Sequence, residues 1–127
     1  MQKKITLTGS IFIVISIILG AMAAHGLEKH ISPNLIQTFE KGVKYQMYIG
    51  LGLLIIGLNA NQFKFNLNPF YYLNLIGILL FSGCIYCYSL HELIPALKPM
   101  AMVVPIGGVA MILAWILLIF KQIRTIV

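Results

Sequence analysis

Long apolar runs separated by short polar segments dominate this chain. The runs fall at residues 5–24, 43–60, 70–90 and 99–120, and none has an acidic or basic residue at its centre. Each is close to the roughly 20 residues that a helix needs to cross a ~30 Å hydrocarbon core. The pattern therefore predicts four membrane-spanning helices.

The longest polar stretch comes just before the second run. Ser32 followed by Pro33 is typical of a helix N-cap and its first helical residue. Apolar side chains then recur every four residues, at Leu35, Phe39 and Val43. This spacing predicts an amphipathic helix over residues 33–44 that lies at the membrane interface and bends into the second span.

A proline interrupts the fourth run. A helix that begins at Pro105 has only about 16 residues before Phe120, or roughly 24 Å, which is short of the hydrocarbon core. Beginning at Pro99 gives about 33 Å, with a kink where Pro105 crowds the carbonyl of Ala101. We expect the kinked helix.

Composition supports a membrane protein and excludes several other classes. The chain has 127 residues, of which 60% are hydrophobic and 9% are charged, whereas a soluble domain has roughly a quarter charged. Two cysteines are too few for a disulfide scaffold. The expected fold is all-α: one membrane domain over residues 1–127, a four-helix bundle with an interfacial amphipathic segment before the second span.

The ends of the chain bear on processing and orientation. A basic start, an apolar run and the segment Ala21-Met22-Ala23 also fit a cleavable signal peptide, but the run is long for one, so we expect it to be kept as the first span. Four spans put both termini on one side, which carries five basic residues against four opposite. This small excess favours cytoplasmic termini.

The net charge of +6 favours membrane lipids as partners rather than nucleic acid.

Small residues recur at helical spacing and indicate close helix packing. The predicted packing positions are Ser16, Gly20, Ala24, Gly83, Gly107 and Gly108. The same spacing fits either packing within one chain or the seam of a homo-oligomer. A larger membrane complex is a further candidate partner.

Histidines are the candidate ligands for a metal or haem. His25 ends the first span and His91 follows the third, so both reach the same membrane surface, where two imidazoles could hold an iron or another metal. The alternative is that they are hydrated interfacial side chains. Without a third ligand at a typical spacing, we predict no metal site and no cofactor.

Other polar residues within the spans suggest a weaker candidate site. Tyr45, Gln46 and Ser82, together with His25, could orient a lipid or quinone headgroup. Cys84 and Cys87 form a C-x-x-C motif, but within a membrane helix we expect them to be structural. No nucleophile–base pair or phosphate-binding loop is present, so we do not expect an enzyme.

Four strings in order carry a resemblance to a known family: Gly20-Ala21-Met22-Ala23-Ala24-His25-Gly26-Leu27, Tyr45-Gln46-Met47-Tyr48, residues 77–83, and Pro105-Ile106-Gly107-Gly108 with Trp115 seven residues later. With them the chain resembles, end to end, the small bacterial inner-membrane family of unknown function typified by YgdD and YwdK, which has mitochondrial relatives in animals. The resemblance implies a four-span inner-membrane protein and assigns no reaction.

The chain also departs from that family. Ile49 stands where relatives tend to have histidine, Val104 where they tend to have threonine, and Ala114 where they tend to have glycine. A polar site in this chain would then depend on His25, Tyr45, Gln46 and Ser82. We expect a non-enzymatic membrane protein with a structural or accessory role. The alternatives are an oligomeric passive pore or carrier for a small or lipid-like solute and, third, a haem- or quinone-binding membrane subunit.

Overall fold

A computed structural model describes all 127 residues, and every regular element in it is helical. The α-helices are α1 Gln2–His25, α2 Pro33–Leu58, α3 Asn68–Ile78, α4 Cys84–Ser89 and α5 Val104–Ile126. A π-helical segment, Leu79–Gly83, joins α3 to α4, and 3-10 segments lie at Leu27–Lys29, Ala60–Gln62 and Pro95–Met102. Three helical stretches are long and apolar enough to cross a membrane: Gln2–Lys29, Asn68–Ser89 and Pro95–Ile126.

Helices α1 and α2 form an antiparallel pair with almost no space between their backbones. A Cβ added at Gly9 would lie 2.6 Å from the backbone nitrogen of Leu54, and one at Gly57 would lie 2.7 Å from that of Thr6. In lipid, where packing rather than the hydrophobic effect drives helix association, glycines permit this close approach. The glycines therefore set the contact between α1 and α2.

A second antiparallel pair is formed by α3 and α5. A Cβ at Gly77 would lie 2.6 Å from Cγ of Met111, and Phe70 packs edge-on against Trp115 with ring centroids 5.0 Å apart. Beyond them, Lys121 Nζ donates to the carbonyl of Asn66 at 3.0 Å. Since α2 also packs against α4, the four long helical stretches run alternately up and down, with both termini at the same end.

The amphipathic segment and the second predicted span are one continuous helix, α2. Leu35 and Phe39 are buried, and the ring of Phe39 lies 4.9 Å from that of Tyr86 in α4. The apolar face of residues 33–44 therefore covers protein. The predicted division between an interfacial segment, 33–44, and a second span, 43–60, is therefore absent from the helix. The four-residue spacing identified the buried face, but it could not show that a neighbouring helix would cover that face.

The predicted kink at Pro105 is wrong. Residues Pro95–Met102 form a 3-10 segment, and α5 begins at Val104 with proline in its first turn. There the missing N–H costs no hydrogen bond, because the first amides of a helix have no partner within it. The length of α5 comes from its other end, since the helix continues beyond Phe120 to Ile126, giving 23 residues, or about 34 Å.

Candidate functional site

Gln46 joins three helices from a buried position in α2. Its Nε2 donates to the carbonyl of Phe12 in α1 at 3.0 Å, and its Oε1 accepts from the hydroxyl of Tyr86 in α4 at 2.7 Å. Only 6% of Gln46 is exposed. The amide thus uses both of its polar ends between helices, as expected where water is not available.

Ser82 makes a second polar link one helical turn away. Its hydroxyl donates to the carbonyl of Gly42 at 2.7 Å, joining the π-helical segment to α2. Across the bundle, Ser16 donates to the carbonyl of Phe12 at 2.7 Å. The structure thus brings the predicted residues Gln46 and Ser82 together. We call Gln46, Tyr86, Ser82 and their two carbonyl partners the polar junction.

The other two predicted site residues lie elsewhere. Tyr45 is 46% exposed on the outer side of α2, where its ring meets that of Phe81 at 5.0 Å. His25 is exposed at the end of α1. The predicted cluster of four is therefore split, because consecutive helical residues such as Tyr45 and Gln46 point about 100° apart.

The second candidate histidine, His91, and the two cysteines have their own surroundings. His91 stacks on Tyr88 with centroids 4.7 Å apart, and its Nδ1 lies 2.7 Å from the carbonyl of that residue. Cys84 and Cys87 are free and partly exposed on α4. No group of three or more histidine, cysteine, aspartate or glutamate side chains is placed to hold a metal ion.

An apolar groove lies on the outer surface, beside the polar junction. It has a volume of about 460 Å³ and runs between α2 and α5. Its lining is hydrophobic apart from one glycine: Tyr45, Ile49, Phe81, Gly108, Met111, Ile112, Trp115, Ile116 and Ile119. We call it the α2–α5 groove. The molecule therefore offers two candidate sites, a sealed polar one and an open apolar one.

Comparison with known proteins places the chain in a family. Residues 19–108 match the family described as "Protein of unknown function (DUF423)". The chain belongs to this family. Relatives named UPF0382 membrane proteins are 34% identical in Staphylococcus haemolyticus and 38% identical in Staphylococcus aureus strain RF122, each over 97% of this chain and 98% of the relative.

Another relative confirms the resemblance inferred from the sequence. The UPF0382 membrane protein YwdK of Bacillus subtilis is 32% identical over 97% of this chain and 98% of its own length. No solved structure matches the chain. The chain is thus a membrane protein of an uncharacterised family, and its chemistry must be argued from its own geometry.

The small residues predicted to mediate packing in this DUF423 member have different surroundings. Ser16 is buried, and a Cβ on Gly107 would collide with the backbone nitrogen of Phe81. A Cβ on Gly20 would lie 3.6 Å from the side chain of Val43, and one on Gly108 would lie 3.5 Å from the ring of Phe81; both are ordinary van der Waals distances. Ala24 is exposed, and a Cβ on Gly83 would meet nothing within 4 Å. Gly107 is therefore tightly packed against another helical segment, whereas Gly83 faces open space.

Two features of the site lie outside the four predicted site residues. Tyr86 completes the polar junction, and its signal was the four-residue step from Ser82, which places both on one side of a helix. A Cβ on Gly42 would lie 2.8 Å from the Tyr86 ring, so this glycine makes room for the tyrosine. Gly52 likewise accommodates Trp115, at 2.7 Å.

Proposed function

We propose that this protein is a non-enzymatic, four-span protein of the bacterial inner membrane with a structural or accessory role. The role is exercised through packing against lipid, against itself or within a larger membrane complex. The observation that carries the proposal is the polar junction. In it, Gln46 and Ser82 form hydrogen bonds between helices. The other buried polar side chains, Ser16, Asn74 and Ser89, donate to carbonyls of their own helices, and Oδ1 of Asn74 has no partner. The outer surface is largely apolar.

The fourth span in this proposal is α2. It carries Glu40, Lys41, Lys44 and Gln46, which makes it more polar than the other three stretches. Its close contacts with α1 nevertheless run from Gly57, beside Thr6, to Val43, whose side chain lies 3.6 Å from a Cβ built on Gly20. If α1 crosses the bilayer, this part of α2 lies at the same depths. Two lysines near one end can extend their ammonium groups to the interface.

The topology is tested by cysteine labelling in a Cys84→Ser, Cys87→Ser background. Single cysteines replace Lys29, Asn61 or Thr125 in intact cells treated with a membrane-impermeant maleimide. Four spans with cytoplasmic termini predict labelling at position 29, and labelling at 61 and 125 only after permeabilisation. Positions 29 and 61 on the same side would contradict four spans, because only α2 lies between them. The reverse pattern would contradict only the orientation.

The structural role is tested by native mass spectrometry of the full-length protein released from lipid nanodiscs. We expect the polypeptide, alone or as a homo-oligomer, carrying only exchangeable lipid. A stoichiometric non-lipid mass would contradict the proposal and indicate a cofactor-binding subunit. A homo-oligomer that also releases a small solute from sealed vesicles would contradict it in favour of a pore.

A further inference from the structure

A tyrosine on the outer side of α2, Tyr48, lies at the depth of the middle of the membrane. Along the antiparallel pair of α1 and α2, Gly50 lies beside Phe12 and Val43 lies beside Gly20. Tyr48 falls between these two contacts, level with the middle of the apolar part of α1. In the four-span arrangement either interface is then about 15 Å away, which is beyond the reach of a phenol side chain.

The hydroxyls of Tyr48 and of its neighbour Tyr45, about one turn away, have no hydrogen-bond partner within the chain. The two rings meet edge-on with centroids 5.9 Å apart, and the side chains are 60% and 46% exposed. By contrast, the hydroxyls of Tyr71 and Tyr86 each bond to a side chain of another helix, at 2.9 and 2.7 Å. The remaining two tyrosines lie near the beginning of α3 and the end of α4, where headgroups and water are close.

Hydrocarbon offers nothing to these two hydroxyls. A polar group transferred into an apolar medium is destabilising unless it is hydrogen-bonded, and no water is available there to bond to it. The oxygens of a phospholipid lie at the interface, so the surrounding lipid leaves both tyrosines without a partner. This face of α2 therefore needs a neighbour that brings hydrogen-bonding groups to the middle of the bilayer.

The surface around the tyrosines combines a projection with a depression. The ring of Tyr48 projects from α2, and Tyr45 beside it lines the α2–α5 groove, as does Trp115. With a volume of about 460 Å³, the groove has room for an aromatic side chain from another molecule. A patch that carries both features at one depth fits its own copy across a two-fold axis, because each copy offers its projection to the depression of the other.

We infer that this face binds a second copy of the chain, with the two molecules related by a two-fold axis along the membrane normal. Both copies then bring Tyr45 and Tyr48 to the same depth. A hydroxyl both donates and accepts, so the tyrosines of one copy bond to those of the other, as Thr8 and Tyr71 do within the chain. The inference rests on the proposed four-span arrangement and assigns its self-association to one face.

Self-association is measured by energy transfer between donor-labelled and acceptor-labelled copies of the full-length protein in phosphatidylcholine vesicles. The labels are attached to a single cysteine that replaces Thr125 in the background without the native cysteines. We expect energy transfer to rise with the protein-to-lipid ratio along the curve of a monomer–dimer equilibrium, above the transfer that random collision gives.

Matched tyrosine variants test whether the hydroxyls hold the dimer. Tyr45→Phe with Tyr48→Phe keeps the rings and should weaken the dimer at least about threefold, since one hydrogen bond between membrane helices contributes a factor of about 3–20. Tyr72→Phe is the control, because Tyr72 is as exposed as Tyr45 but lies near the beginning of α3. It should leave the dimer unchanged.

The single tryptophan of the chain locates the interface, because Trp115 lines the groove. Dibrominated phosphatidylcholine quenches tryptophan fluorescence on contact. We expect quenching to fall as the dimer forms, and to stay high over the same protein-to-lipid ratios in the variant with both tyrosines replaced by phenylalanine.

Three outcomes would overturn the inference. Energy transfer at the level of random collision would show that no dimer forms. A dimer that is insensitive to the tyrosine variant, or that leaves Trp115 open to brominated lipid, would have its interface on another face. A monomer that carries a stoichiometric quinone or similar small molecule in native mass spectrometry would have a different partner for its tyrosines. None of these results contradicts the four spans, which the cysteine labelling tests separately.

Discussion

At the scale of single residues, Gln46 is the side chain on which the contact of three helices depends. Gln46→Leu removes the bonds to Phe12 and Tyr86 at similar volume, whereas Tyr86→Phe removes only the second. Hydrogen bonds between membrane helices contribute about 0.6–1.7 kcal/mol each. We therefore expect a coupling energy of that size in a double-mutant cycle, measured by reversible unfolding in bicelles. Additive effects of the two substitutions would contradict the bond.

Gly107 and Gly83 should respond in opposite ways to substitution by alanine. In Gly107→Ala the new methyl collides with the backbone at Phe81, so we expect a loss of about 1–3 kcal/mol, as for other overpacked sites. In Gly83→Ala the methyl enters open space, and the better helix propensity of alanine predicts a change between zero and about 1 kcal/mol of stabilisation. Thermal unfolding of both variants in one detergent checks this. Equal effects would show that helix propensity, not contact, governs both sites.

At the scale of elements, the π-helical segment aligns two halves of one long helical stretch. Tyr71 in α3 bonds to Thr8, and Ser82 and Tyr86 bond to α2. A π turn holds one residue more than an α turn, so the segment already accommodates one extra residue. Inserting one alanine after Ile78 adds a second and should rotate the two halves by about 100° relative to each other. The two sets of bonds then cannot form together.

We expect this insertion to abolish the folded protein or lower its midpoint of thermal unfolding by more than 10 °C, on the order of a 2–3 kcal/mol loss in a domain of this size. Inserting one alanine after Ala96 in the exposed 3-10 segment is the matched control and should be tolerated, because it lies outside the helix contacts described above. Comparable losses from both insertions would show that chain length, not register, matters.

The elements that the sequence predicted well are those whose signal is local. The apolar run of α1 and the buried face of residues 33–44 follow from length and four-residue spacing alone. The beginning of α5 was mispredicted because Pro105 fits both a kink and a first turn, and the choice depends on how residues 95–102 fold. Likewise, the sequence does not distinguish Tyr45 from its neighbour Gln46. The rotation of α2 about its axis places Gln46 in the polar junction and Tyr45 in the groove.

At the scale of the whole molecule, the sequence predicted a helical membrane protein, because 60% hydrophobic residues leave few other folds. The family was predicted from the resemblance of four sequence strings and not from composition. The sequence could not predict the two candidate sites. Each site is formed by residues far apart in sequence, such as Gln46 with Tyr86 and Ile49 with Trp115, and uniformly apolar helices give no periodicity from which to align them. The polar junction and the α2–α5 groove therefore emerge only from the packed structure.

The lengths of the helices lead to a prediction for the whole molecule in bilayers. The apolar part of α1, between Lys4 and His25, has 20 residues and spans about 30 Å, and α5 from Val104 to Phe120 spans about 25 Å. Mismatch costs a fraction of a kcal/mol per Å. In phosphatidylcholines of increasing chain length, thermal stability should therefore peak at a hydrocarbon thickness of about 25–30 Å and fall on both sides. A flat profile would contradict the spanning arrangement, because a protein lying on the surface does not sense that thickness.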